Sequence, residues 1–162
     1  DSIQAAILEV KLKYIKKHIS ARQKAAEFYD IHLKTIEEIH LPERVDYSTH
    51  SFHQYTIKTN KRNSLQHFLK TKGIPSMVYY PNVLHLQKAY EFLGYKKGDF
   101  PVSERIADNV LSLPMHTELT EEQQSYIVKS IKEFFTKKTM VFTLFSKMNN
   151  VELLPDNLLP GT

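Results

Sequence analysis

The sequence contains no cysteine and only four glycines. Without cysteine neither a disulfide nor a thiolate metal site is available, and a reducing, cytoplasmic setting is compatible with that composition. None of the glycines falls in a G-x-G-x-x-G, P-loop or G-x-S-x-G arrangement, which excludes a glycine-built phosphate cradle and a nucleophile elbow. No apolar run approaches the roughly 18 residues that a membrane helix needs, and nothing reads as a signal peptide, so a soluble protein without a membrane partner is expected. The eight histidines hold no HExxH and no i,i+4 pair on one helix face. His50 and His53 alternate to opposite faces of a strand start, and no metal site is expected.

What is present fits one globular domain with its own core: 162 residues, 41% hydrophobic and 25% charged. The 22 basic and 18 acidic residues give a net charge of +4 and are interspersed. The one basic cluster, Lys11, Lys13, Lys16, Lys17 and His18, reads as a solvated helix face rather than a nucleic-acid patch.

From Ser2 to about Lys34, the recurrence of Ile3, Ile7, Val10, Tyr14, Ala21, Ala25 and Phe28 predicts one long amphipathic helix, capped by Asp1 or Ser2. At a rise of about 1.5 Å per residue it would be roughly 50 Å long, more than a small domain's own core requires. Phe52 to Thr59 alternates as a strand, with His53, Tyr55, Ile57 and Thr59 on one face. A helix is expected from about Lys61 to Lys72, capped by Asn60 and stopped by Gly73. A strand from Ser76 to Tyr80 follows, joined to the first by a right-handed crossover if the two are parallel neighbours; an intervening strand fits as well. Leu86 to Leu93 reads as a short helix ended by Gly94, and Pro101 suits the first turn of a helix with Ile106, Ala107 and Val110 on its apolar face. Leu111 to Pro114 is a brief strand. Thr120 to Gln123 fits a capping box opening a helix that carries Tyr126, Ile127, Ile131 and Phe134. Met140 to Phe145 is β-prone and apolar, while Asn149, Asn150, Pro155, Pro160 and Gly161 mark an irregular end.

The stretch from Gly73 to Tyr90 concentrates the most instruction. Pro75 and Pro81 bracket the short β-prone run, leaving Tyr79, Tyr80 and His85 near a sheet's end. Alternation would turn one tyrosine to the core and the other away. Both phenols packing is one reading; the other is a ligand contact, favoured by a histidine four residues after Pro81 that can hydrogen-bond an anionic or hydroxylated ligand. His116 reads as a loop residue.

A series of ordered blocks then carries a resemblance. Asp1-Ser2-Ile3-Gln4-Ala5-Ala6-Ile7-Leu8, His53-Gln54-Tyr55, Lys72-Gly73-Ile74-Pro75, Tyr79-Tyr80-Pro81 and Leu84-His85-Leu86-Gln87-Lys88-Ala89-Tyr90 come first. Leu93-Gly94-Tyr95, Gly98-Asp99-Phe100-Pro101-Val102, Leu111-Ser112-Leu113-Pro114-Met115-His116 and Leu119-Thr120-Glu121-Glu122-Gln123 follow. In order and spacing, over about residues 1 to 135, they resemble the C-terminal part of the DegT/StrS family of PLP-dependent sugar aminotransferases.

The resemblance implies the α/β (α+β-like) small domain of a fold type I aminotransferase: an interdomain helix over residues 1 to 36, and a domain over 37 to 138 with a small sheet of about three strands covered by helices. Residues 139 to 162 are a tail outside the likeness. It implies a parent enzyme that uses pyridoxal phosphate to move an amino group, usually from glutamate, onto a nucleotide-linked keto sugar for cell-surface polysaccharide or related sugar biosynthesis. A homodimer is implied, with no nucleic acid. Tyr79 and Tyr80 map onto a block that commonly reads His-Tyr-Pro and faces the sugar nucleotide, and His85 onto the nearby Leu-His; tyrosine stands here in place of the commoner histidine at Tyr79. None of the 22 basic residues has the family context of the Schiff-base lysine. The large domain with that lysine, the pyridine-binding aspartate and the phosphate-holding residues would precede Asp1, as would the Gly-x-Asn-x-Arg block. The expectation is therefore no catalytic, cofactor-binding or metal residue here, and no PLP binding or transamination by this polypeptide alone. The rival is a free-standing, non-catalytic domain that dimerises through the long helix, and a basic nucleic-acid binder is a distant third.

Overall fold

The computed structural model describes the backbone of residues 1–148 and the side chains of residues 1–136. The N-terminal helical region is two helices, α1 (Ser2–Leu12) and α2 (Ile15–Leu33), where the periodicity predicts one. Asp1 caps α1 by accepting from the Ile3 N–H at 3.3 Å. At Tyr14 (φ −107°, ψ 1°) the backbone leaves helical geometry, and its N–H bonds back to the Lys11 carbonyl at 3.0 Å. No glycine or proline marks this break, and α1 buries no side chain that could hold it in line. From Ala25 the helix packs: Ala25, Ala26, Tyr29 and Leu33 are all buried.

The strand predicted from Phe52 to Thr59 shortens to β1 (Tyr55–Lys58), because Phe52 takes a positive φ of 49° and breaks the extended run. Within β1 the alternation holds, with Tyr55 and Ile57 buried and Lys58 exposed. Next, α3 (Arg62–Thr71) buries Leu65 and Leu69. Asn60 is not its cap; the N-cap position is Lys61, whose N–H is taken by Thr59 Oγ1 at 3.2 Å. Gly73 stops the helix at φ 71°, a conformation that a Cβ would strain.

No second strand forms from Ser76 to Tyr80. Pro75 and Pro81 remove donors on either side, so pairing contracts to Met77, whose N–H and carbonyl both bond Ser112 at 3.1 and 2.8 Å. The Tyr79–Tyr80 peptide is cis. The helix expected from Leu86 to Leu93 is instead two 3₁₀ segments, Leu84–Leu86 and Lys88–Leu93, closed by Gly94 at φ 73°. Pro101 opens α4 (Pro101–Asn109), which buries Ala107 but leaves Ile106 exposed.

The chain then enters β2 (Val110–Leu113), buried along its whole length. β2 pairs antiparallel with β1, Tyr55 opposite Leu113 and Lys58 opposite Val110. Among the described residues the sheet therefore has two strands rather than about three, extended at its edges by single-residue bridges at His40 and Met77. Met77 bridges to β2 rather than to β1, so no crossover between neighbouring strands forms, and only this single bridge stands where a strand beyond β2 would lie.

Finally α5 (Glu121–Met148) starts at the expected capping box: Thr120 Oγ1 accepts from the Gln123 N–H at 3.2 Å, and Gln123 Oε1 accepts from the Thr120 N–H at 3.0 Å. Its inner face is Gln124, Ile127, Val128, Ile131 and Phe135, and it packs on α2 and α3. Tyr126 lies outside that face and donates to the Lys72 carbonyl at 3.1 Å. The β-prone run from Met140 to Phe145 is helical, since a capped helix extends by one hydrogen bond for each residue fixed. The irregular end expected from Asn149 onward lies outside the described residues.

Candidate functional site

The segment after Met77 is where the fold becomes open. With no strand to impose alternation, neither tyrosine enters the core: Tyr79 is 40% and Tyr80 73% exposed. This corrects the expectation of one core-facing phenol, and equally the reading in which both simply pack. Their rings meet edge to face, centroids 5.6 Å apart.

His85 behaves differently. It sits in the middle of the Leu84–Leu86 turn and is buried. Its Nε2 lies 3.0 Å from Glu104 Oε1, and its ring packs on Phe100 at 4.7 Å between centroids. The same Glu104 oxygen accepts the Gly98 N–H at 2.8 Å. That N–H holds the Glu104 carboxyl below the usual carboxylate range; partial burial opposes the shift, and His85 reinforces it. A carboxylate has no proton to give, so the imidazole donates through Nε2.

The structure brings the three sequence-predicted residues together. Tyr79, Tyr80 and His85 line one open cavity of about 450 Å³, with Phe100, Ser103 and Val110 completing its floor. Tyr80 also borders a second cavity of about 670 Å³, whose wall includes Lys88, Lys97, Glu104 and Asp108. Sequence reasoning missed Glu104 and Phe100. Phe100 lies within the Gly98 to Val102 block and Glu104 just beyond it, and a glutamate in the first turn of a proline-started helix was the signal available.

A second polar group braces the end of the sheet where Tyr55 pairs with Leu113. Tyr55 donates to Asp30 Oδ1 at 2.5 Å, Asp30 also pairs with Arg44, and the Tyr29 hydroxyl donates to the Pro114 carbonyl at 3.0 Å. Burial pushes both phenols upward from the ordinary tyrosine range, and the Asp30 carboxylate adds to the shift at Tyr55. His116 is an exposed loop residue whose Nδ1 accepts the Glu118 N–H at 3.2 Å. Among the described residues no three metal-ligating side chains converge, and no helix is long and apolar enough to cross a membrane.

The family model for DegT/DnrJ/EryC1/StrS aminotransferases matches residues 1–132. The chain belongs to that family. It is 47% identical over 140 residues to the pleiotropic regulatory protein of Geobacillus stearothermophilus, covering 83% of this chain and 37% of the relative. To the UDP-N-acetyl-3-dehydro-alpha-D-glucosamine 3-aminotransferase of Acidithiobacillus ferrooxidans it is 38% identical over 132 residues, 82% of this chain and 35% of that one. Among solved structures, a DegT/DnrJ/EryC1/StrS aminotransferase from Brucella abortus superimposes with a TM-score of 0.76 at 38% identity, over 83% of this chain and 36% of that one. The chain thus spans about a third of the length of the relatives it matches. Its structural neighbours are fold type I aminotransferases, and within that fold it forms a helix-rich unit around a two-strand antiparallel sheet.

Pyridoxal phosphate serves this family. The cavity that Tyr79, Tyr80 and His85 share does not fit that group, because no lysine stands in its wall to take the aldehyde; Lys88 and Lys97 line the neighbouring cavity instead.

Proposed function

We propose that this chain is the substrate-enclosing small domain of a nucleotide-sugar aminotransferase, with Tyr79, Tyr80 and His85 on the sugar-nucleotide side. The observation that carries this reading is their convergence on one open cavity in a chain of this family. Two exposed phenols offer hydroxyls and ring faces to a sugar or base, and the apolar floor of Phe100 and Val110 displaces water beneath them. In the parent reaction glutamate gives its amino group to a keto sugar for surface-polysaccharide or related biosynthesis. Pyridoxal phosphate, held by a part of the family fold that these residues do not cover, would supply the electron sink. The division into residues 1–36, a domain over 37–138 and a tail over 139–162 belongs to this proposal, as does a cytoplasmic location.

The homodimer belongs to it too. It is supported by α1, where Ile3, Ile7, Leu8, Val10 and Leu12 are all exposed, an apolar surface suited to packing on another polypeptide. The same surface favours the second reading, a non-catalytic domain that associates through this helix.

Titration of the 162-residue chain with UDP-N-acetylglucosamine, followed at the Tyr79 and Tyr80 ring resonances, separates the two. Saturable shifts at these rings, reduced in a Tyr79→Phe/His85→Ala double variant, are expected. No shift, or unaltered affinity in the double variant, removes the substrate reading.

A further inference from the structure

We propose that Glu104 is a positioning residue: its carboxylate fixes His85 and, through it, holds the segment from Val78 to Gln87 in the shape that presents Tyr79 and Tyr80. The ligand-facing half of this inference rests on the nucleotide-sugar reading above; the tether itself does not.

The segment is held at few points. Upstream it is secured by the backbone bridge between Met77 and Ser112. Beyond that, Leu86 N–H bonds Val83, Gln87 N–H bonds Leu84, and the Gln87 amide bonds Asn82, all within the segment. Among the described residues, the bond from His85 to Glu104 is the hydrogen bond that ties residues 78–86 to a distant element. It is shielded as a tether should be, with side-chain exposures of 8% for His85 and 15% for Glu104.

Glu104 suits the role because its own position is fixed twice. Its N–H is held by the Phe100 carbonyl at 3.1 Å in the first turn of α4, and its Oε1 takes the Gly98 N–H as well as His85. One oxygen therefore links three pieces of chain: the Leu84–Leu86 turn, the Gly98 turn and α4. The pair also stands at a boundary, His85 lining the cavity of about 450 Å³ and Glu104 the one of about 670 Å³, while Tyr80 borders both. Loss of the carboxylate leaves the buried His85 donor without an acceptor and frees the exposed Gly98 N–H to water, and the tyrosine wall loses its downstream anchor.

The test is nuclear magnetic resonance on the full chain in three variants. Glu104→Ala removes the acceptor, Glu104→Gln keeps an oxygen that can take both bonds, and His85→Phe cuts the tether from its other end while keeping a ring on Phe100. In the parent protein the His85 Nε2–H should exchange slowly enough to be seen. In Glu104→Ala that signal should vanish and the Leu86 and Gln87 amides should exchange about tenfold faster, with β1 and β2 unchanged. His85→Phe should accelerate the same amides, and Glu104→Gln should restore them to within about threefold. Parent-like exchange in Glu104→Ala and His85→Phe overturns the tether, and so does a general loss of protection that includes β1 and β2.

UDP-N-acetylglucosamine affinity, read at the Tyr79 and Tyr80 rings, should fall about tenfold in Glu104→Ala and recover in Glu104→Gln. Equal affinity in all three overturns the positioning role. A parent chain that shows no ring shifts counts against the nucleotide-sugar reading, while the exchange rates still decide the tether.

Discussion

Tyr29 and Tyr55 are the residues at which stability is most directly tied to proton uptake. Both hydroxyls are buried donors, one to the Pro114 carbonyl and one to Asp30, and their rings pack 4.9 Å apart. Burial raises both folded-state pKa values above the ordinary tyrosine value. A raised pKa contributes stability that is complete below the unfolded value of about 10 and is lost as pH rises beyond it. In an alkaline titration followed by phenolate absorbance, these two of the nine tyrosines should ionise only as the chain unfolds. Tyr55→Phe should lower stability by about 1 kcal/mol at neutral pH and make it less sensitive to alkali. Glu104 works in the opposite direction, since the Gly98 N–H and, against partial burial, His85 depress its pKa. Its contribution is present above the unfolded glutamate value of about 4.3 and disappears as pH falls below it. The urea midpoints of parent and Glu104→Gln should therefore converge on acidification; a gap that persists unchanged in acid would show that the carboxylate charge plays no part.

Among the elements, those that announce themselves locally are the ones legible in sequence. The α5 start is an example, because the Thr120 to Gln123 box involves only neighbours in the chain and forms both of its bonds. Thr120→Ala should cost about 1 kcal/mol in urea unfolding, against a few tenths for Thr120→Gly. Gly73 and Gly94 likewise close their elements at positive φ, as their positions predict. The misread elements depend on distant partners or on none. Ser76 to Tyr80 has the composition of a strand, yet it needs N–H donors at both ends to extend a ladder, and Pro75 and Pro81 deny them. The break at Tyr14 is invisible to periodicity because the apolar spacing continues through it while burial does not begin until Ala25. At the site, Tyr79, Tyr80 and His85 could be named from their positions in a resembling block. Glu104 was signalled only as an acid in the first turn of a proline-started helix; its role exists only once the Gly98 turn folds α4 back beside the Leu84–Leu86 turn.

For the molecule as a whole, the distribution of apolar surface divides the chain into a part that folds on itself and a part that awaits contact. The core gathers Tyr29, Leu33, Tyr55, Ile57, Leu65, Leu69, Leu111 and Ile131 in one cluster, so α2, the sheet, α3 and α5 should unfold together. α1 contributes nothing to that cluster. Fully burying an aliphatic side chain is worth roughly 1.5–3 kcal/mol, and an exposed one forfeits that gain while still bearing the entropy of an ordered helix. Two substitutions of comparable chemistry test the division. Leu111→Ala opens a cavity beneath β2 and should lower stability by about 2–5 kcal/mol, whereas Ile7→Ala, on an exposed helix face, should stay within about 0.5 kcal/mol. Amide exchange should divide the same way, fast throughout α1 and slow in β1 and β2. If Ile7→Ala also lowers the urea midpoint, and does so more strongly as the protein is concentrated, α1 is buried between copies of the chain. Its apolar face would then be an association surface in solution, as the homodimer proposal requires.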